Sequence, residues 1–387
     1  MRGRAGLAIL VGAALGAPTD GTRLRLARPE PPAFARATEP RSFRLPIDHG
    51  PHFEFQTEWW YYTGNLVAED GRRFGFQLTF FRRGLSPGPP APEGLSTNQV
   101  YFAHFAVTDV AAGRHQAAER FSRGAAGLAG ASGQPFGVWL EDWSARAPAA
   151  TETARRGGTG EDRRDGSTLH LTAREGGLAL DLELSASKPL VLHGDRGLSA
   201  KSDEPGNASY YVGYTRMSAR GRIAADGGPG VPVSGEAWFD HEWSTSALGP
   251  GAVGWDWFSL QLSDGRELMF FEIRRADGGR EAASSGTLVA ADGRTRRLGP
   301  DDVRVQALGK WRSPETKADY PARWRIQVPS EALELEVEPR VADQELHTSF
   351  TYWEGAVGLR GTSRGSPVTG QGYVELTGYA GTMQGVF

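Results

Sequence analysis

The sequence has no cysteine among its 387 residues. That excludes disulfide frameworks, thiolate nucleophiles and Cys-ligated zinc or iron–sulfur centres. It also lacks a dominant charge: 43 Lys and Arg against 46 Asp and Glu give a net −3, so no global positive field gathers nucleic acid or anionic lipid. After the N-terminus, no apolar run approaches the roughly 20 residues that a spanning helix needs. Long helical periods are scarce, and no GxxxxGK[ST] phosphate loop occurs. The GxGxxG string Gly249–Gly254 runs into an aromatic strand instead of a helix. Two GxSxG strings, Gly84–Gly88 and Gly361–Gly365, lack the helix that follows a nucleophile elbow.

What the chain does have is backbone punctuation and aromatic residues. It carries 52 Gly, 24 Pro and 11 Trp, with 39% hydrophobic residues overall, a composition of many short strands joined by turns. Arg2 and Arg4 precede the apolar stretch Ala5–Leu15 and the small residues around Gly16-Ala17. This order predicts a cleavable secretory signal over 1–17 and a soluble protein exported to the periplasm or beyond. Residues 18–45, rich in Pro, Arg and Ala, are expected to be a loosely attached arm.

From residue 53 the pattern predicts hairpins. Aromatic and β-branched runs flank Glu69-Asp70-Gly71-Arg72, and the same order returns at Asp264-Gly265-Arg266 and at Asp292-Gly293-Arg294. Further strands are predicted at Gln99–Asp109, Phe136–Trp143, Ser167–Ala173, Leu178–Ser185 and Tyr210–Met217. One short helix is allowed at Gly124–Ser132, and a solvated loop is expected over Ser144–Gly166. The fold class is all-β: two antiparallel barrels, spanning 46–244 and 245–387.

Tryptophan and ionisable residues cluster together. Trp59 and Trp60 adjoin Glu58, while Trp238, Trp243, Trp255 and Trp257 surround Asp240, His241, Glu242 and Asp256. Alternation along a strand places Phe239, His241 and Trp243 on one face, and Trp238, Asp240 and Glu242 on the other. The His241 face suits a barrel interior holding an apolar ligand, with Glu58 able to meet His241 or His104 at the barrel mouth. A set of two His and one carboxylate drawn from His104, His241, Glu58 and Glu242 has no HxH or HExxH spacing to support it. No metal and no cofactor are expected.

The strings Thr57-Glu58-Trp59-Trp60-Tyr61-Tyr62-Thr63-Gly64-Asn65-Leu66 and Trp238-Phe239-Asp240-His241-Glu242-Trp243 resemble signatures of the AttH-like, carotenoid 1,2-hydratase-like family of exported bacterial proteins. Tyr210-Tyr211, Gly254–Phe258 and Gly372–Tyr379 resemble its other landmarks. The resemblance implies two lipocalin-like domains. It places the essential His and Trp of an H-x-W motif at His241 and Trp243, and an acid at Asp256. Gly254 stands where the family carries a Tyr. Acid-catalysed hydration or isomerisation of an alkene would then use Asp256 as acid, with Glu242 in reserve and His241 orienting water. Trp243, Trp255 and Trp257 would face the cation, and Glu58, Trp59, Trp60, His104, Tyr210 and Tyr211 would complete the ligand site. The expected partner is an apolar small molecule: a lipid, isoprenoid or polyene. A non-catalytic carrier of such a ligand, or a purely structural pair of barrels, would use the same residues differently.

Overall fold

The computed structural model describes residues 33–90, 96–148, 167–246 and 248–383, and among these it is nearly all β. The first sheet takes its strands from Thr57–Ala68 (β1), Arg73–Gly84 (β2), Gln99–Asp109 (β3), Arg114–Arg123 (β4), Ala129–Gly133 (β5), Phe136–Leu140 (β6), Trp143–Arg146 (β7), Thr168–Glu175 (β8), Leu178–Ala186 (β9), Val191–Leu192 (β10), Leu198–Ala200 (β11), Ala208–Ala224 (β12) and Val231–Ser244 (β13). Its order is β4-β3-β2-β1-β13-β12-β9-β8-β7-β6-β5, with β10 and β11 pairing on β12. The second sheet uses Ala252–Leu262 (β14), Glu267–Arg275 (β15), Ser285–Val289 (β16), Thr295–Leu298 (β17), Arg304–Arg312 (β18), Asp319–Val328 (β19), Leu333–Pro339 (β20), Glu345–His347 (β21), Thr351–Ser363 (β22) and Ser366–Leu376 (β23). Its order is β17-β16-β15-β14-β23-β22-β20-β19-β18, with β21 on β22. Each sheet curls into a barrel or half-barrel.

The three repeated turns share one mechanism. Gly71, Gly265 and Gly293 sit at φ 83°, 82° and 86°, a region open to glycine at little steric cost. In each turn the preceding Asp carboxylate accepts the backbone N–H of the following Arg, at 3.0–3.1 Å. Sequence repetition here reflects one turn used three times.

Three local expectations change. Gly124–Ser132 is a turn entering β5, because its run of Gly and small side chains offers no apolar helical stripe. The strand expected over Phe136–Trp143 breaks at Glu141, whose φ is 57°, giving β6 and β7. The arm is docked from residue 33 onward: Ala37 is buried, and the Tyr210 hydroxyl donates to the Glu39 carbonyl at 2.9 Å. The expected signal at 1–17 and most of the loop at 144–166 lie outside the described residues.

Both barrel interiors are filled by side chains. Trp60, Tyr62, Phe76, Phe80 and Phe239 belong to the first core, and Phe258, Leu260, Trp324 and Trp353 to the second. A third apolar cluster, including Tyr61, Tyr211, Trp238, Trp257, Phe271 and Tyr373, joins the outer face of one barrel to that of the other. The Asn65 side-chain amide donates across this junction to the Gly372 carbonyl at 3.0 Å. The Gln261 amide donates to the carbonyls of Thr215 and Ala237 at 2.9 and 3.0 Å.

Candidate functional site

Strand β13 separates two environments by simple alternation. His241 pairs across to Trp60 on β1 and Val212 on β12, facing into the first barrel. Asp240 pairs to Tyr61 and Gly213, and Glu242 pairs to Trp59 and Tyr211, all on the outer face. Adjacent residues of one motif therefore serve different sites.

Inside the barrel, Glu58 is the hub of a closed ion cluster. Its Oε1 accepts from His52 Nδ1 at 2.8 Å and meets His241 Nε2 at 2.9 Å. Its Oε2 accepts from Arg82 Nε at 2.8 Å and from the His52 backbone N–H at 2.9 Å. Arg82 also donates to the carbonyls of His52 and Phe55, at 2.8 and 2.9 Å, and to Gln99 Oε1 at 2.7 Å. The cluster thus clamps the segment leading into β1 over the barrel end. Burial would raise the Glu58 carboxyl, but Arg82 and then the histidines hold it well below the usual carboxylate range. Burial pulls His241 down to about 4 despite Glu58. Trp60 stacks on His241 at 5.0 Å, and Trp243 stacks on His52 at 3.8 Å.

His52, Glu58 and His241 offer ligand atoms within 4.8 Å of one another. A divalent cation there would meet the Arg82 guanidinium already bound to the same carboxylate, and both imidazoles are already engaged. The donor set fits a structural ion cluster better than a metal centre.

Between the barrels lies a cleft walled by Trp59, Phe81, Trp255, Trp257, Phe271 and Phe350, and it holds Asp240, Glu242, Glu354 and Glu375. About 100 Å³ of it admits the centre of a water-sized molecule, and its mouth opens to solvent. The carboxyls differ in their partners. Glu242 is ion-paired with Lys201 at 2.7 Å and accepts from the Ser209 hydroxyl. Asp240 Oδ2 accepts from Tyr211 at 2.5 Å, and Tyr211 accepts in turn from Trp257 Nε1 at 3.1 Å. Asp240 Oδ1 makes no conventional hydrogen bond among the described residues, although the Trp238 indole lies near the carboxyl, and its closest basic atom is His193 Nε2 at 3.8 Å. Gly213 makes room for this carboxyl, since a Cβ there would collide with Oδ1. Glu354 and Glu375 stand directly opposite on β22 and β23, a pairing that penalises double ionisation. Trp255 Nε1 donates to Glu375 Oε2 at 3.2 Å. The hydroxyls of Tyr61 and Tyr352 lie beside Glu354, whose Oε1 has no conventional hydrogen bond among the described residues.

Burial pushes Asp240 up to about 8, a rise that its bond from Tyr211 only moderates. Burial also raises Glu375 to about 7, and burial together with Glu375 drives Glu354 well above the ordinary carboxyl value. Burial thus favours the protonated form of Asp240 and Glu354, while Glu375 titrates near neutrality, which equips the group to donate protons.

The residues singled out from sequence divide accordingly. Glu242, Trp59, Tyr211, Trp255 and Trp257 line the cleft. His241, Trp243, Glu58, Trp60 and Tyr210 do not: they face the interior of the first barrel or the arm covering it. Where a ligand hollow was expected around His241, the rings of His49, His52, Trp60, Phe239 and Trp243 lie 4.7–6.5 Å from its own. Asp256 alternates with Trp255 and Trp257 and so points into the second barrel. There Arg274 Nε binds it at 2.8 Å and the Tyr379 hydroxyl at 2.9 Å. It cannot share a surface with those tryptophans. His104 stands behind the cleft, bonded to Tyr352. Asp240, Glu354, Glu375, Tyr61 and Lys201 were not singled out. Alternation in β13 and in the closing Gly372–Tyr379 string carried a signal for Asp240 and Glu375, while Glu354 had none.

Comparison with known proteins agrees with this architecture. The AttH-like family model matches residues 36–379, nearly all of the described chain, and the protein belongs to that family. The crystal structure of an AttH candidate from Nitrosomonas europaea is 34% identical, with a TM-score of 0.77, covering 89% of this chain and 99% of its own. Kievitone hydratase from Nectria haematococca shares the fold at 14% identity and TM-score 0.65, covering 91% of this chain and 99% of its own. CghA bound to Sch210972 shares it at 15% identity and TM-score 0.52, covering 84% and 89%. No curated protein sequence matches the chain. No described helix is long and apolar enough to cross a membrane.

Proposed function

We propose that this AttH-like protein is exported and acts on an apolar lipid or isoprenoid in the inter-barrel cleft, hydrating or isomerising an alkene by acid catalysis. The observation that carries the reading is the trio Asp240, Glu354 and Glu375, whose carboxyls are buried within aromatic walls and shifted toward the protonated form. Protonating an alkene carbon needs an undissociated acid and a surface that tolerates the resulting cation. The trio supplies the first. The indole faces supply the second, a contact worth about 2 kcal/mol once water is excluded.

In the reaction the acid O–H bond breaks as a C–H bond forms, leaving a carboxylate beside a carbocation. Water then adds to the cation and returns a proton to the carboxylate, or loss of a neighbouring proton gives the isomeric alkene. The same scaffold carries a hydratase in Nectria haematococca. The charge, apolar and small-residue order of Met1–Ala17 supports export.

The test combines native mass spectrometry of the purified protein with incubation of membrane isoprenoids in deuterated, oxygen-18-labelled water. Incorporation of label at an alkene carbon by wild type, lost in Asp240→Asn and Glu354→Gln, is the expected result. A co-purified lipid that takes up no label would end the catalytic reading and leave a carrier.

A further inference from the structure

His104 is buried, sits outside the cleft and has no part in the chemistry above, yet both of its ring nitrogens are engaged. Its Nδ1 meets the Tyr352 hydroxyl at 2.7 Å, and its Nε2 meets Glu119 Oε1 at 2.9 Å. Tyr352 comes from β22 of the second barrel, and its hydroxyl lies beside the Glu354 carboxyl in the cleft. Glu119 lies on β4, the edge strand of the first sheet. Its side chain is 16% exposed, and it also accepts from the Ser349 backbone N–H and hydroxyl at 2.9 and 2.7 Å. Register reinforces the alignment: Tyr61, Thr79, His104 and Glu119 form one lateral row across β1, β2, β3 and β4. Around His104 pack Phe81, Phe102 and Phe350, an apolar sleeve without a competing charged partner.

We propose that Tyr352, His104 and Glu119 form a proton path joining Glu354 in the cleft to solvent at the edge of the first sheet. The inference rests on the reading of Glu354 as a cleft acid. When an apolar molecule fills the cleft, water leaves its mouth, and the acid then exchanges its proton from behind.

The shift is balanced. The Glu354 O–H breaks as the Tyr352 oxygen takes the proton, and the phenol's own O–H breaks as Nδ1 takes that one. Nε2–H then breaks as the Glu119 carboxylate takes the third, and Glu119 exchanges with water. The imidazole changes tautomer and stays neutral throughout, in keeping with burial lowering its basicity against Glu119. The reverse shift restores the acid.

Infrared spectroscopy on the intact protein tests this with the cleft filled by squalane, a saturated hydrocarbon that closes the mouth to water and cannot react. On transfer to deuterated water, the carboxylic C=O band that disappears in Glu354→Gln should shift promptly in wild type. In Tyr352→Phe, His104→Gln and Glu119→Gln the shift should slow about tenfold or more. Glu119 is partly exposed at a sheet edge, so its variant keeps the test open if a buried one fails to fold. Unchanged exchange in folded variants would overturn the path and leave the acid standing, with protons using the mouth. Absence of a protonated Glu354 band in wild type at neutral pH would remove both.

Discussion

The two clusters that share β13 use the same residue types to opposite ends. Within the first barrel, Glu58 has four hydrogen-bond partners, a guanidinium among them, stays ionised and fixes the covering segment. In the cleft, Asp240 and Glu354 each keep one oxygen without a conventional hydrogen bond among the described residues and hold their protons. Burial is equally complete at Glu58 and Glu354, each 1% exposed, so burial alone does not set the protonation state. What differs is compensation. A buried carboxylate survives when a cation and several donors replace its water, and otherwise the group neutralises. The Glu58 carboxylate has both oxygens engaged and nothing left to offer a ligand, whereas the cleft carboxyls do.

The comparison breaks most visibly at Arg82. Arg82→Met leaves Glu58 buried without its main counter-charge and unties the carbonyls of His52 and Phe55. The expected loss is about 3–5 kcal/mol of unfolding free energy, read by denaturant titration. Glu58→Gln should cost a similar amount. A variant that unfolds at the wild-type midpoint would show the cluster to be dispensable and would remove the structural assignment.

Asp240→Asn should do the reverse, with a sign that depends on pH. Because the folded pKa of Asp240 is raised to about 8, the unfolded chain releases this proton first. Its contribution to stability is complete below the unfolded pKa of 3.8 and is lost as pH rises through the folded value. The amide is neutral at every pH. Relative to wild type, the variant should therefore gain stability between pH 5 and pH 8, on the order of 3 kcal/mol. Thermal melts at the two pH values measure the difference. Parallel pH dependences would mean that Asp240 is ionised in the folded protein.

The hairpins and the all-β class were legible because the turn chemistry is local: Asp-Gly-Arg specifies its own φ and its own side-chain bond. Alternation likewise separated Asp240 and Glu242 from His241 and Trp243. Which face meets a second barrel is a tertiary fact, and indoles flank ionisable groups on both faces, so the motif alone does not distinguish the barrel interior from the cleft. At Asp256 alternation separates the carboxyl from Trp255 and Trp257, against the shared site that the family resemblance implies. Glu354 and Glu375 face each other only through the β22–β23 register, more than a sequence motif reports.

The finest version of the comparison lies in two neighbouring tyrosines. The Tyr62 hydroxyl faces the barrel interior and has no hydrogen-bond partner among the described residues, whereas the Tyr61 hydroxyl lies against the Glu354 carboxyl in the cleft. In the packed interior an unpaired hydroxyl is only a desolvation cost, so Tyr62→Phe should raise stability by about 1 kcal/mol and leave ligand retention unchanged. Beside Glu354 the hydroxyl has a use. Tyr61→Phe should leave stability within about 0.5 kcal/mol while weakening retention of the co-purified molecule in native mass spectra. Equal behaviour of the two variants would erase the distinction between a packed interior and a cleft that keeps polar capacity for a ligand.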